Sequence, residues 1–291
     1  MKPPAFDYHD PRTIDDAIAL LVRHGGEAQL LAGGQSLVPM LNFRLAAPAV
    51  LIDLNRIPDL AYIKEDRGQL CFGAMTRQRQ VEFSPLVAHR LPLMIEATRL
   101  AGHLPTRTRG TVGGSIAHAD PAAEYPAIVT ALEGEMVVQG AAGKRVIKAA
   151  DFFRGAFTTA IDPGEILVEI RMPVTPDHSG WAFEEFSRRH GDFAIVETAV
   201  MLTFDANRRC RAARVAVSGA GAIPLRMPAV ERMIEDSDLS EKIIVEASAQ
   251  AAELIDPATD LHASAGYRRH LTRVLVRRAL TRAAAQARGR N

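Results

Sequence analysis

Apolar and polar positions alternate along this chain with two different periods, and the change of period divides it. Ile14, Ala17, Ile18 and Leu21 recur at the helical spacing after Thr13, a residue type that caps helix N-termini, and Gly25-Gly26 supplies the stop. A short strand, Gln29-Leu30-Leu31-Ala32, then runs directly into Gly33-Gly34, and Val50 to Leu54 follows as another. Helix, strand, glycine turn and strand make an α/β beginning. From about residue 60 the pattern becomes Ala61-Tyr62-Ile63 paired with Leu70 to Ala74, then helices near 77–83 and 92–101 and a glycine-containing stretch over 109–115. Asp120-Pro121 reads as the opening of a helix to about Leu132, because an acid caps and proline suits the first helical position. Met136 to Val138 and Arg145 to Ile147 flank Gly140 to Gly143 as a hairpin, and Ile166 to Met172 adds a strand.

Pro173 to Pro176 marks a boundary. Beyond it come strands near 181–187, 195–204 and 212–217, then helices near 227–235, 240–255 and 267–287. Strands followed by helices predict a separate α+β unit. The expected division is 1–176, with subdivisions of about 1–57 and 58–176, followed by 177–291. No internal repeat is evident.

Composition changes this picture little. With 291 residues, 47% hydrophobic, 24% charged and a net charge of +1, the chain reads as an ordinary globular protein without a dominant field for nucleic acid or membrane. No apolar run approaches the roughly 20 residues of a membrane span. Met1 to Asp7 carries prolines and an acid where a signal peptide has an apolar stretch, so a cytoplasmic protein is expected. Cysteine usage excludes more. Cys71 and Cys210 are the only two, far apart, and an all-cysteinyl iron–sulfur cluster takes about four thiolates. Both lie in strand-like runs and read as small buried hydrophobes.

Two segments carry candidate chemistry. Ala32-Gly33-Gly34-Gln35-Ser36-Leu37 follows a strand; Thr111-Val112-Gly113-Gly114-Ser115 precedes Asp120 and Glu124. Glycine pairs permit positive φ and close backbone approach, and successive N–H groups in such turns form an anion-binding concavity suited to pyrophosphate. Ser36, Thr111 and Ser115 add hydroxyl donors, while Asp120 and Glu124 are acceptors suited to sugar or ribityl hydroxyls. Neither segment is a Rossmann G-x-G-x-x-G or a P-loop. Taken alone, each is equally an ordinary turn, and Asp120 equally a helix cap. The residues by themselves stop at a nucleotide site.

At greater length these segments resemble a known family. Leu31 to Arg44 is similar to the first flavin motif, and Arg107 to Pro121 to the second, of the medium subunit of the carbon monoxide dehydrogenase and xanthine dehydrogenase (molybdenum hydroxylase) family. Gly73 to Arg77 and Arg188 to Ala194 resemble further family segments, in order and over nearly the whole chain. The resemblance implies an α+β fold: a two-part FAD-binding domain of the vanillyl-alcohol oxidase type, then a C-terminal domain of antiparallel sheet plus helices. It implies FAD held by Ala32, Gly33, Gly34, Gln35, Ser36, Leu37, Thr111, Val112, Gly113, Gly114 and Ser115 around the pyrophosphate. Ala117 and Asp120 would lie along the cofactor, backbone near Leu167 would approach the isoalloxazine, and Phe193 would lie beside the ring.

The implied function is electron transfer. Electrons come from two [2Fe–2S] clusters of a small subunit, beside a large subunit holding the molybdenum cofactor, and leave through FAD to NAD, a quinone, oxygen or another acceptor. A dimer of heterotrimers is the family expectation. No catalytic acid, base or nucleophile and no metal ligand is assigned, because the cofactor performs the redox chemistry. Ile195 stands where xanthine dehydrogenase flavin domains carry a lysine near the flavin pyrimidine edge, a loss that should shift potential or acceptor preference, with Arg188 as the available substitute. Thr108 replaces a frequent Asn. His118 reads as a loop support rather than a base. The eight arginines of 268–290 flank an apolar stripe of Tyr267, Leu271, Val274, Leu275, Ala279 and Leu280 and read as its solvated or subunit-facing side, not as a nucleic-acid surface. The competing readings are a self-sufficient FAD oxidase or dehydrogenase and a non-catalytic nucleotide-binding assembly module.

Overall fold

The structure is a computed structural model that describes residues 2–289. The first unit is a three-stranded parallel sheet. It contains β1 (Asp7–His9), α1 (Ile14–His24), β2 (Ala28–Leu31), α2 (Leu37–Asn42) and β3 (Val50–Asp53), with strand order β1-β3-β2. Thr13 caps α1 by accepting from the Asp16 N–H, and Gly25 ends it at φ 53°. β1 was not predicted, because three residues, none of them buried, carry no readable alternation. It matters to the site: Tyr8 donates from its hydroxyl to Asp53 at 2.5 Å.

The second unit contains β4 (Ile63–Asp66), β5 (Gln69–Gly73), α3 (Gln78–Glu82), α4 (Pro85–Arg90), α5 (Pro92–Leu100), α6 (Leu104–Arg109), α7 (Val112–His118) and α8 (Glu124–Ala131). It continues through β6 (Glu135–Gly140), β7 (Gly143–Lys148), α9 (Ala149–Phe152), β8 (Phe153–Gly155), β9 (Thr158–Thr159) and β10 (Ile166–Pro173). Its five-stranded sheet runs β4-β5-β10-β6-β7. Two expectations change here. The glycine-containing stretch 109–115 is largely helical, with Thr111 capping α7 and both glycines in its first turn. The helix expected from Asp120-Pro121 begins instead at Glu124, and the Asp120 carboxylate accepts from the Ala122 N–H in a turn before it. The Asp-Pro signal marks an Asx turn as readily as an N-cap.

The C-terminal unit contains β11 (Ser179–Ser187), β12 (Ala194–Phe204), β13 (Cys210–Ser218), β14 (Leu225–Arg226), α10 (Pro228–Ile234), α11 (Glu241–Glu253) and α12 (Ala265–Arg288). The four strands form an antiparallel sheet in sequence order. Alternation along the strands sends the two faces to different cores. Ala182, Val196, Val200, Leu202, Val215 and Val217 pack with the helices α10–α12. Trp181, Phe183, Ala199, Met201 and Ala216 join the core built by α5, α8 and the five-stranded sheet. One core therefore crosses from the second unit into the third.

Cys71 and Cys210 are both buried free thiols, and burial pushes the Cys210 thiol up to about 12. On α12 the buried positions are Leu271, Leu275, Val276, Ala279 and Leu280, with Val274 half-buried and Tyr267 exposed, so the stripe is rotated slightly from the expected one. Arg268 also departs from expectation. It is buried, because three acceptors surround it, whereas Arg277, Arg278, Arg282 and Arg288 line a groove of about 830 Å³ against α11. Arg290 lies outside the described residues. Among the described residues no helix is long and apolar enough to cross a membrane.

Candidate functional site: two glycine turns and a cleft

The two glycine turns meet. A Cβ on Gly33 would fall 2.4 Å from the Arg109 carbonyl oxygen and 2.8 Å from Gly110 Cα, and one on Gly114 would come within 3.4 Å of Ala32 Cβ. Gly113 is held as tightly, since its Cβ would sit 2.5 Å from that of Ala74. Of the four turn glycines only Gly34 has a positive φ, at 74°. Gly33 and Gly113 are thus required by close approach of backbone segments, Gly114 by the Thr111 hydroxyl, 2.7 Å from where its Cβ would stand, and Gly34 alone by conformation.

The turns differ in what they leave free. In the second, the N–H groups of Val112, Gly113, Gly114 and Ser115 already donate to Thr76 O, Ala74 O, Thr111 Oγ1 and Thr111 O. In the first, among the described residues, the backbone N–H groups of Gly33, Gly34, Gln35 and Ser36 have no acceptor. Gln35 folds its side-chain amide back onto Gly33 O at 3.1 Å. Ser36 and Ser115 are half-buried, whereas Thr111 is buried as the cap of α7. The donors converge at one turn, and the other serves as its backing plate.

A polar clamp fixes this arrangement, and only part of it was visible in the sequence. Asn55 donates to the Ala32 carbonyl at 2.9 Å, and its backbone N–H donates to Asp53. Arg77 donates to both Asn55 Oδ1 and the Arg109 carbonyl, and its guanidinium pKa is lowered by burial and by Arg109. Asp53 also accepts from Tyr8, whose phenol is raised to about 12 by that hydrogen bond, with burial next. Chain positions 8, 53, 55, 77 and 109 thereby bind the carbonyls on either side of the Gly33 contact. Arg77 belongs to a quoted segment; Tyr8, Asp53 and Asn55 carried no motif, and only the parallel register of β1 and β2 on β3 brings them together. Arg107 has a different task. It pairs with Glu82 at 3.0 Å and donates to the Ala101 and Gly102 carbonyls, fixing the entry to α6. Thr108 donates to Leu104 O within α6.

A cleft of about 1410 Å³ opens beyond α7, between Asp120-Pro121 and the C-terminal sheet. Asp120, Phe157, Arg188, Phe193, Ile195 and Arg268 line it. Phe193 is 63% exposed, on a loop anchored by Gly191, where φ is 84° and the His103 ring packs against the space a Cβ would take. Ala119 (φ 52°) and Phe157 (φ 56°) are both left-handed, and the Phe157 N–H donates to the Ala119 carbonyl. His118 packs its ring 5.1 Å from that of Phe157, a supporting contact. Ala117 is exposed on α7. Leu167 is not in the cleft wall: its side chain is buried in the core, beside an irregularity in the β10–β6 pairing. The lysine-replacing Ile195 is buried, and its carbonyl accepts from Arg268, which also reaches Gly219 O at 2.7 Å and Asp260 at 2.7 Å. Arg188 reaches the same cleft from the other side.

The surroundings suit a dinucleotide: unpaired N–H donors, a close-packed glycine floor, and an adjoining cleft that offers carboxylates, Asp120 among them, and the exposed rings of Phe157 and Phe193. The comparisons with known proteins agree. The family described as "FAD binding domain in molybdopterin dehydrogenase" matches residues 4–175, and that described as "CO dehydrogenase flavoprotein C-terminal domain" matches 181–283. The chain is 41% identical to the 6-hydroxypseudooxynicotine dehydrogenase complex subunit alpha of Paenarthrobacter nicotinovorans, covering 99% of this chain and 97% of that one. It is 38% identical to the caffeine dehydrogenase subunit beta of Pseudomonas sp. (strain CBB1), over 98% and 96%. Among solved structures, carbon monoxide dehydrogenase from Hydrogenophaga pseudoflava superposes with a TM-score of 0.96 at 38% identity, covering 98% of this chain and 99% of that one. The chain belongs to the FAD-binding medium-subunit family of the molybdenum hydroxylases, and is an oxidoreductase subunit.

Proposed function

We propose that this chain is the electron-transferring flavin subunit of such a complex. The observation that carries the reading is the row of unpaired N–H groups at Gly33 to Ser36, clamped against the second motif. These donors, with the Ser36 and Ser115 hydroxyls, receive the pyrophosphate, while Ala32, Leu37, Thr111, Val112, Gly113 and Gly114 shape the floor beneath it. Asp120 accepts from cofactor hydroxyls, Ala117 adjoins them, and Phe193 shields the face of the ring in the cleft. Leu167 acts from behind, through the backbone at the β10 irregularity. FAD supplies exchange between single-electron carriers and a two-electron acceptor.

The partners follow from the same reading: a small subunit with two [2Fe–2S] clusters, a large subunit with the molybdenum cofactor, and assembly as a dimer of heterotrimers in the cytoplasm. Substrate choice belongs to the large subunit. The domain division is 1–176 and 177–291. The test is to express the chain alone, record its visible spectrum and identify the released cofactor. Stoichiometric FAD, lost in Gly33→Val, supports the reading. A folded, colourless chain that takes up no FAD, alone or with its partner subunits, would overturn it.

A further inference from the structure

Three carboxylates outside the lining of the cleft, Glu124 of the second motif's surroundings among them, converge where the two halves of the chain meet. Glu124 is the first residue of α8, while Glu185 and Glu197 face each other in register across β11 and β12. One oxygen from each lies within 4.8 Å of the others. Glu197 is fully buried, and neither of its carboxylate oxygens has a hydrogen-bond partner among the described residues; the same holds for Glu185 Oε2. The hydroxyl of Ser218, opposite Glu197 on β13, is committed elsewhere, donating to the Pro121 carbonyl. The Arg107 guanidinium lowers the Glu124 carboxyl, but it is already committed to Glu82 and two carbonyls. Asp120 adds further negative charge.

Like charges directly opposite in a sheet repel, and buried unpaired carboxylate oxygens are costly. Either protons or a cation must relieve them. Burial raises all three carboxyls, Glu124 to about 8 and Glu185 to about 7, so protons serve at low pH. The dimensions admit a cation once protons leave. Oxygens on opposite sides of Ca²⁺ stand about 4.6–5.2 Å apart and those around Mg²⁺ about 4.0–4.2 Å, so three oxygens within 4.8 Å of one another can share one such ion. An all-oxygen donor set suits a hard ion. We propose that Glu124, Glu185 and Glu197 form a binding site for a hard divalent cation, which ties the start of α8 to the C-terminal sheet.

The full chain, stripped with chelator, would be titrated with Mn²⁺ while the electron paramagnetic resonance signal of the free ion is followed. About one Mn²⁺ per chain should bind, and Ca²⁺ should displace it. Binding should tighten between about pH 6 and pH 8, as Glu124, Glu185 and Glu197 lose protons in the field of Asp120 and Arg107. Glu197→Gln and Glu185→Gln should each weaken it at least about tenfold while circular dichroism and FAD content stay unchanged. A wild-type chain that leaves the free-ion signal intact at millimolar Mn²⁺, or variants that bind as tightly as wild type, would overturn the proposal.

Discussion

At the scale of single residues, the site is governed by backbone carbonyls and what holds them. Asn55 and Arg77 grip the Ala32 and Arg109 carbonyls that flank the Gly33 contact. Asn55→Ala or Arg77→Met should weaken FAD binding about ten- to hundredfold, from about 1.5–3 kcal/mol lost per charge-assisted contact, as read by equilibrium dialysis of the released flavin. Gly33→Ala fails for another reason. Its φ is permissible, but the added carbon meets a carbonyl, so about 1–3 kcal/mol of overpacking should appear in a denaturant titration. The buried carboxyls predict a pH signature in the cation-free protein. Their folded pKa values are raised above the unfolded ones, so the folded state binds more protons and stability falls as pH rises from about 4.5 to about 8. Thermal melts across that window should flatten in Glu197→Gln.

At the scale of elements, the hydrophobic pattern made the long pieces readable. Helix α11, helix α12 and strands β11 to β13 lie where the alternation put them, within a few residues, because each buries a continuous face. Several of the short pieces were not. β1 has three residues, α4 and α6 have six, and α7 carries two glycines that disguise a helix. The glycine turns were legible as a binding feature, yet their division of labour was not, since hydrogen-bond commitments such as Gly113 N–H to Ala74 O span distant segments. Arg268 was misread as solvated because a charge run gives no sign that one member turns inward. It now predicts its own outcome: Arg268→Leu leaves the Ile195 and Gly219 carbonyls unpaired and should cost about 2–3 kcal/mol, measured by chemical denaturation.

At the scale of the whole molecule, the C-terminal sheet has no free face. Trp181 and Phe183 enter the core of the preceding unit, while Gly180 lets α12 lie close on β11, where a Cβ would stand 1.9 Å from the Ala283 carbonyl. Arg282 bridges Glu96 on α5 and Glu184 on β11. Such a shared core predicts one cooperative unfolding transition, with the fluorescence of Trp181, the single tryptophan, coinciding with far-UV circular dichroism. Phe183→Ala should lower stability by about 3–5 kcal/mol and keep that coincidence. Two separated transitions would show that the units melt independently.

The uneven commitment of N–H groups between the two glycine turns also bears on how the protein is loaded. Amides of residues 112–115 donate within their own chain, whereas those of 33–36 have no acceptor among the described residues. On the proposed reading the flavin phosphates draw on the amides of 33–36, while those of 112–115 keep the floor beneath them in place. Deuterium uptake would trace this directly: the later segment should exchange slowly with or without flavin, and the earlier one should slow only after loading.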